Sequence, residues 1–353
     1  MTTTAPAPTP VVAPRPQTRA VVPGSRHAWL ASAAVAIAVF AQSPGRIIPE
    51  SKVDLVLNPA GFLARATHMW DPHAAFGQVS NQAVGYLFPM GPFYALGHLA
   101  HVPMWIVQRA WMALLLVVAL QGMVRLATAL HVGTPATRVV GATAYALAPA
   151  LLTQVASTSA GQISAALLPW VVLPLVRGAR DGSTRRAAAR SALAVVCMGA
   201  VNAASVAAVL PVPLLYLLTR ERSARRKALL RQWVLAVGVG SIWWLVPLVL
   251  QWRYGQPFTP YTERAAVTTA TTSAFEALRG TSYWLGYLFT SGPWLRGAWR
   301  LVSSPVAIAA TSTVAAGGLA ALANRSMPER RFLVWCATLG TVVMVAAYGG
   351  PWG

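Results

Sequence analysis

Acidic side chains are scarce in this 353-residue sequence: Glu50, Asp54, Asp71, Asp181, Glu221, Glu263, Glu276 and Glu329 are all of them. The first three lie close together, in a polar stretch that also carries Lys52, Arg65, His68 and His73. A carboxylate among such cations has the parts for one kind of step, in which it takes a proton from a hydroxyl while the cations hold a phosphate. The same spacing also describes a solvated loop with ordinary ion pairs, each worth about 0–1 kcal/mol. Spacing leaves both open. Arg65 and His68, three apart, share one face if the segment is helical, where they either hold the phosphate or snorkel toward lipid headgroups. Just beyond, Gln78, Asn81, Gln82 and Tyr86 are of types that hydrogen-bond sugar hydroxyls. They equally suit backbone groups freed where Pro89 and Pro92 interrupt a helix.

Other chemistry finds no anchor. The chain lacks a metal motif, a P-loop, a Gly-x-Ser-x-Gly elbow and a dinucleotide fingerprint. Cys197 and Cys336 both fall in apolar runs, which argues against a disulfide framework or a zinc site. No cofactor is assigned, and a divalent cation stays open.

The elements that must position these residues are membrane helices. The chain is 56% hydrophobic and only 10% charged, against about a quarter charged in soluble domains. About 20 apolar residues cross a bilayer core, so this length suits many crossings and no large soluble domain. The net charge of +20 would suggest nucleic acid in a soluble protein. Here the arginines cluster in short segments between apolar runs, at Arg177–Arg190 and Arg220–Arg231, which is the positive-inside pattern. Without interleaved aromatics or a folded platform, nucleic-acid binding is excluded as the reading.

Residues 1–26 are Pro-, Thr- and Ala-rich and read as a disordered cytoplasmic tail. The rest, 27–353, reads as a bundle of about nine spans with its N-terminus inside and C-terminus outside. The first span is Ala28 to Ala41; Val39-Phe40-Ala41 also fits a signal-peptidase site. Residues 44–103 form a long first outer loop. Within it Phe62, Leu63, Ala66, Met69 and Trp70 recur at helical spacing, which predicts a short amphipathic helix along the membrane surface. Tyr86 to His98 is apolar but broken by Pro89, Gly91 and Pro92, as in a re-entrant or interfacial segment. The run Ala187 to Thr219, basic at both ends, predicts two short helices meeting near Asn202. Gln154, Gln162 and Asn202 either line a cavity or join helices. The last apolar run stops at Gly350-Pro351-Trp352-Gly353 without a polar tail, which suggests the front part of a longer protein.

Ser51-Lys52-Val53-Asp54-Leu55-Val56-Leu57-Asn58-Pro59, Phe62-Leu63-Ala64-Arg65, His68-Met69-Trp70-Asp71, Phe76-Gly77-Gln78, Asn81-Gln82-Ala83 and Gly85-Tyr86-Leu87-Phe88-Pro89-Met90-Gly91-Pro92 resemble the first outer loop of AftD-type arabinofuranosyltransferases of mycobacterial-type cell walls. Gly161-Gln162-Ile163 and Leu168-Pro169-Trp170 are similar to that family as well. The resemblance implies an all-α polytopic membrane protein with a GT-C-like transmembrane bundle, its long first periplasmic loop carrying short interfacial helices. It implies a plasma-membrane, multi-pass glycosyltransferase with its active site on the periplasmic face. The donor would be a polyprenyl-phosphate arabinofuranose held in membrane lipid, and the acceptor the arabinan of arabinogalactan or lipoarabinomannan. Asp54 best matches the acidic residue of the first loop that serves such enzymes as base, giving inversion. Asp71 either orients the acceptor or stops the helix before it. Lys52, Arg65, His68 and His73 are then the donor-phosphate residues, and Gln78, Asn81, Gln82 and Tyr86 the sugar contacts. Three other readings stand beside this one: a transporter or flippase of polyprenyl-linked sugar, a GT-C enzyme using another polyprenyl-phosphate sugar, and a non-catalytic scaffold.

Overall fold

The computed structural model describes residues 24–48, 52–72, 76–79, 83–199, 201–256 and 265–346. Helix α1 spans Gly24–Phe40. After a polar linker come α2 (Val53–Leu57) and α3 (Pro59–Ala66), then α4 (Met90–Leu99) and the long α5 (Met104–Ala129). Helices α6 (Pro135–Ala146), α7 (Pro149–Val155) and α8 (Ile163–Arg180) follow. Next are α9 (Thr184–Val196), α10 (Ala203–Val209), α11 (Pro211–Leu218) and α12 (Ala224–Tyr254). Among the described residues the last long helices are Pro305–Ala323 and Arg330–Ala346.

Four helices are long and apolar enough to cross a membrane by length and composition: Met104–Ala129, Ser159–Arg180, Ala224–Tyr254 and Pro305–Ala323. Shorter apolar helices, Arg26–Phe40 and Ala203–Leu218, stand beside them. The bundle is built on α5, which lies against α1, α6 and α8, while α9 joins α8 to α12. At about 1.5 Å per residue, the 26 residues of α5 span about 39 Å. Its first turn therefore lies at one end of the molecule, with α2, α3 and α4, and its last turn at the other, with the arginine-rich connections.

Lipid offers no hydrogen bonds, so polar groups within the bundle must satisfy each other. Ser191 does this twice, donating to the Val171 carbonyl at 2.7 Å and accepting from the Trp233 indole at 2.8 Å, which ties α8, α9 and α12 together. The Trp170 indole donates to the Val118 carbonyl at 3.0 Å, an approach open only because Gly122 presents no Cβ: one would lie 2.5 Å from that indole nitrogen.

The interrupted segments behave as their prolines and amides demand. Helix α9 stops at Val196, and α10 restarts after Asn202, whose side chain accepts from the Ser205 amide at 3.1 Å. The expected break is there. Between them Gly199 has φ +65, and a Cβ on it would lie 2.8 Å from the Phe88 carbonyl and 2.9 Å from that of Gly85. Glycine is the residue that permits both the left-handed backbone and the contact, so this turn packs directly on the first loop. Gln162 donates to Gln154 at 2.7 Å, a pairing of the two amides across the start of α8.

One expected element differs. The amphipathic helix ends at Ala66, and Trp70–Asp71 instead forms a two-stranded antiparallel ribbon with Gln78–Val79, in the register Trp70 to Val79 and Asp71 to Gln78. Thr67 turns the chain out of the helix, its hydroxyl donating to the Ala64 carbonyl at 2.7 Å. Met69 and Trp70 extended the apolar spacing without extending the helix.

Candidate functional site

The lip that carries Asp54 is made by two helices folded at Asn58. The Asn58 amide donates to the Asp54 carbonyl at 2.8 Å, ending α2. The Asn58 side chain then accepts from the Gly61 amide at 3.0 Å, and Pro59 occupies the first turn of α3, where its missing N–H costs nothing. One asparagine thus ends one helix and caps the next. Leu55, Val56, Phe62 and Ala66 point inward and are buried with Tyr86, Met90 and Tyr94. Burying each large apolar side chain contributes about 1.5–3 kcal/mol, enough to fix the lip. The outward faces of α2 and α3 carry Asp54 and Arg65 beside the exposed apolar Val53 and Leu57.

On those faces Arg65 donates to Asp54 Oδ2 at 2.8 Å, with the two side chains 47% and 48% exposed. An exposed pair of this kind adds about 0–1 kcal/mol to stability. Its effect is orientation: it holds one carboxylate oxygen and leaves the group open to solvent. The Arg65 guanidinium also lies 6.0 Å from the Phe62 ring centroid. Lys52 precedes α2 and is half-buried, while His68 is exposed, its Nδ1 3.1 Å from the Ala64 carbonyl and 3.0 Å from the Thr67 hydroxyl.

Asp71 and Gln78 face each other in the ribbon, both half-buried. Asp71 therefore does not stop a helix. Tyr86 departs from its expected place among the sugar contacts: it is 1% exposed, with its ring edge-on to Phe62 at 5.4 Å. Its aromatic surface is spent on the packing that holds α3. Glu50, His73, Asn81 and Gln82 lie outside the described residues. Among the described residues no cluster of three or more His, Cys, Asp or Glu side chains could hold a metal.

Two residues not singled out by spacing prove central. Gln108, fully buried near the start of α5, grips the backbone of Ile48 from both sides: its amide oxygen accepts from the Ile48 N–H at 2.7 Å, and its amide nitrogen donates to the Ile48 carbonyl at 2.8 Å. Arg109, 2% exposed, donates to the Gln42 and Arg46 carbonyls, each at 3.2 Å. The chain entering the loop is thereby pinned to α5. The available signal was their type, since a glutamine and an arginine inside an apolar helix are expensive unless employed.

A second loop, between α12 and Pro305–Ala323, folds around a buried arginine, Arg279, paired with the part-buried Glu276 at the same end. Arg279, 4% exposed, donates to Glu276 at 2.9 Å, to the Thr311 hydroxyl at 2.9 Å and to the Leu301 carbonyl at 2.9 Å. Tyr287 donates to Glu276 at 2.7 Å, and Thr281 donates to the same carboxylate. Burial, and then the bond to Glu276, push the Tyr287 phenol well above its ordinary pKa. This carboxylate is fully committed to protein donors, whereas Asp54 is open.

Comparison with known proteins gives a consistent result. The family model described as alpha-(1->3)-arabinofuranosyltransferase, N-terminal GT-C domain, matches residues 34–353. A relative named alpha-(1->3)-arabinofuranosyltransferase from Mycobacterium tuberculosis (strain ATCC 25618 / H37Rv) is 43% identical over 324 residues, 90% of this chain. One of the same name from Mycolicibacterium smegmatis (strain ATCC 700084 / mc(2)155) is 41% identical over 325 residues, 92% of this chain. The chain spans 23% of the length of each of these relatives. Among solved structures, the single-particle cryo-EM structure of arabinofuranosyltransferase AftD from mycobacteria matches with TM-score 0.72 and 34% identity, over 92% of this chain and 24% of that one. A mutant form of it matches with TM-score 0.73 and 36% identity, over 91% of this chain and 23% of that one.

Proposed function

Because the chain belongs to the alpha-(1->3)-arabinofuranosyltransferase family through its N-terminal GT-C domain, we propose that it is a membrane glycosyltransferase domain that moves arabinofuranose from a polyprenyl-phosphate donor to cell-wall arabinan. The observation that carries the reading is a half-exposed carboxylate, Asp54, held by Arg65 on a rigid lip at one end of a membrane bundle. In this reaction an acceptor hydroxyl attacks the anomeric carbon while the polyprenyl phosphate departs from the opposite side. The configuration inverts. Asp54 accepts the hydroxyl proton as the new bond forms, and Arg65 keeps the carboxylate aimed.

Arg65 is therefore assigned first to the carboxylate, and Lys52 and His68, beside it on the same lip, to the anionic phosphate of the donor. A donor whose sugar phosphate is wet and whose tail is greasy needs a site at the membrane rim, and the lip sits where α4 and α5 begin. That end is the periplasmic one in this proposal, with the arginine-rich connections inside and about nine crossings between. The charge bias of the connections supports that orientation. A second reading, transport of the lipid-linked sugar, has no comparable observation behind it.

The test incubates purified protein with radiolabelled polyprenyl-phosphate arabinose and an arabinan oligosaccharide, beside an Asp54→Asn variant. The variant should fold normally and transfer about 10²–10⁴ more slowly. Equal rates in the two proteins would remove Asp54 from the mechanism, and absence of product from the unaltered chain would count against the domain acting alone.

A further inference from the structure

The end of the bundle opposite Asp54 holds a cavity of about 460 Å³ between α1, the last turns of α5, the start of α6 and the end of α8. Arg125, Arg138, Arg177 and Arg180 line it with His131, against a single carboxylate, Asp181. We propose that this cavity binds a phosphate ester, in its natural setting the phosphodiester of an anionic lipid headgroup.

The site is built rather than accidental. Ser32 of α1, 3% exposed, donates to the Ala28 carbonyl and accepts from Gln121 at 3.0 Å. Gln121, 6% exposed, accepts from Arg125 at 2.7 Å, and the same guanidinium nitrogen also donates to the Gln121 carbonyl at 2.9 Å. A buried polar relay inside apolar helices thus ends on one guanidinium, which the Trp170 ring supports from 5.2 Å. Polar relays at membrane depth are costly and are retained for ions or substrates.

Of the remaining arginines, Arg138 and Arg180 have only part of their donors engaged. Arg138 gives its Nε to the Val132 carbonyl at 2.9 Å. Arg180 gives one nitrogen to the Ala129 carbonyl at 2.6 Å, with His131 Nδ1 at 3.1 Å, and another approaches Glu329 at 3.6 Å. A guanidinium has five N–H donors, so each keeps donors for an anion, and its planar fork matches two phosphate oxygens. Against Asp181 in the lining and Glu329 beside Arg180, the four arginines still leave an excess of positive charge that an anion would offset. The mouth is flanked by Trp29, 57% exposed on α1, the residue type that marks the headgroup level of a bilayer. That placement favours a lipid over a soluble ester.

Native mass spectrometry of the purified chain in detergent tests this, with phosphatidylglycerol or phosphatidylcholine added and glycerol 3-phosphate as soluble competitor. Phosphatidylglycerol should be retained in preference to phosphatidylcholine. Arg177→Gln should weaken that retention about tenfold. Arg125→Gln should do at least as much, but it disturbs the buried relay, so the exposed Arg177 is the decisive position. Arg185→Gln, outside the cavity, should bind as the unaltered chain does. Displacement of the lipid by millimolar glycerol 3-phosphate would support the site while assigning it to a soluble ester. Equal retention of the two lipids, or an Arg177→Gln variant that binds phosphatidylglycerol undiminished, would overturn the proposal.

Discussion

At the scale of the residue, the decisive contrast is between two carboxylates at one end of the molecule. Glu276 is enclosed by Arg279, Thr281 and Tyr287, and Asp54 meets Arg65 at the surface. Both are acids near an arginine in the sequence, and only three dimensions separate the structural one from the one free to react. Gln108 belongs to the same scale. Replacing it with Leu leaves the part-buried Ile48 N–H and carbonyl without this partner, at up to about 1–3 kcal/mol for each group left unsatisfied. We expect Gln108→Leu to lower the melting temperature and to cut transfer sharply through loss of loop position. A variant that retains full activity and stability would show the clamp to be dispensable.

At the scale of the element, much was legible and the failures share a cause. The break before Asn202 was visible because basic flanks at both ends forbade a single crossing, whereas the α2–α3 corner at Asn58-Pro59 emerged only with the structure. The Trp70–Val79 ribbon was not visible, since Met69 and Trp70 happen to continue a helical spacing, and pairing between strands leaves no period in two residues. Tyr86 was misplaced because an aromatic that packs and one that stacks on sugar look the same until its neighbours are known. The second loop makes its own prediction. Its Tyr287 phenol has a folded pKa raised above the unfolded value near 10. The folded state thus binds that proton more tightly, so its contribution is fully present below about pH 10 and is lost as pH rises beyond. Thermal melts of the unaltered chain should fall through this alkaline window, and Tyr287→Phe should start lower and fall less. Parallel curves for the two proteins would show that this phenol does not govern the decline.

For the whole molecule, the composition announced lipid at once, and the arrangement adds a polarity: the exposed Asp54 lip at one end, the cavity lined by four arginines at the other. Two buried cores join these ends, one around α1, the loop and α5, the other around α8, α9, α11 and α12. If the ends face opposite sides of the membrane, single cysteines at Val53 and Ser183, in a background without Cys197 and Cys336, should react with an impermeant maleimide from opposite sides. Labelling of both from one side would invalidate the proposed orientation.

The grip of Gln108 on Ile48 reaches further than the residues it touches. The linker is fastened to α5 at Gln42, Arg46 and Ile48, so the tight turn where Ser43 and Gly45 adopt φ of 44 and 78 is bracketed by anchors. With α1 itself packed along α5, a displacement of α5 would carry α1 and the linker as passengers.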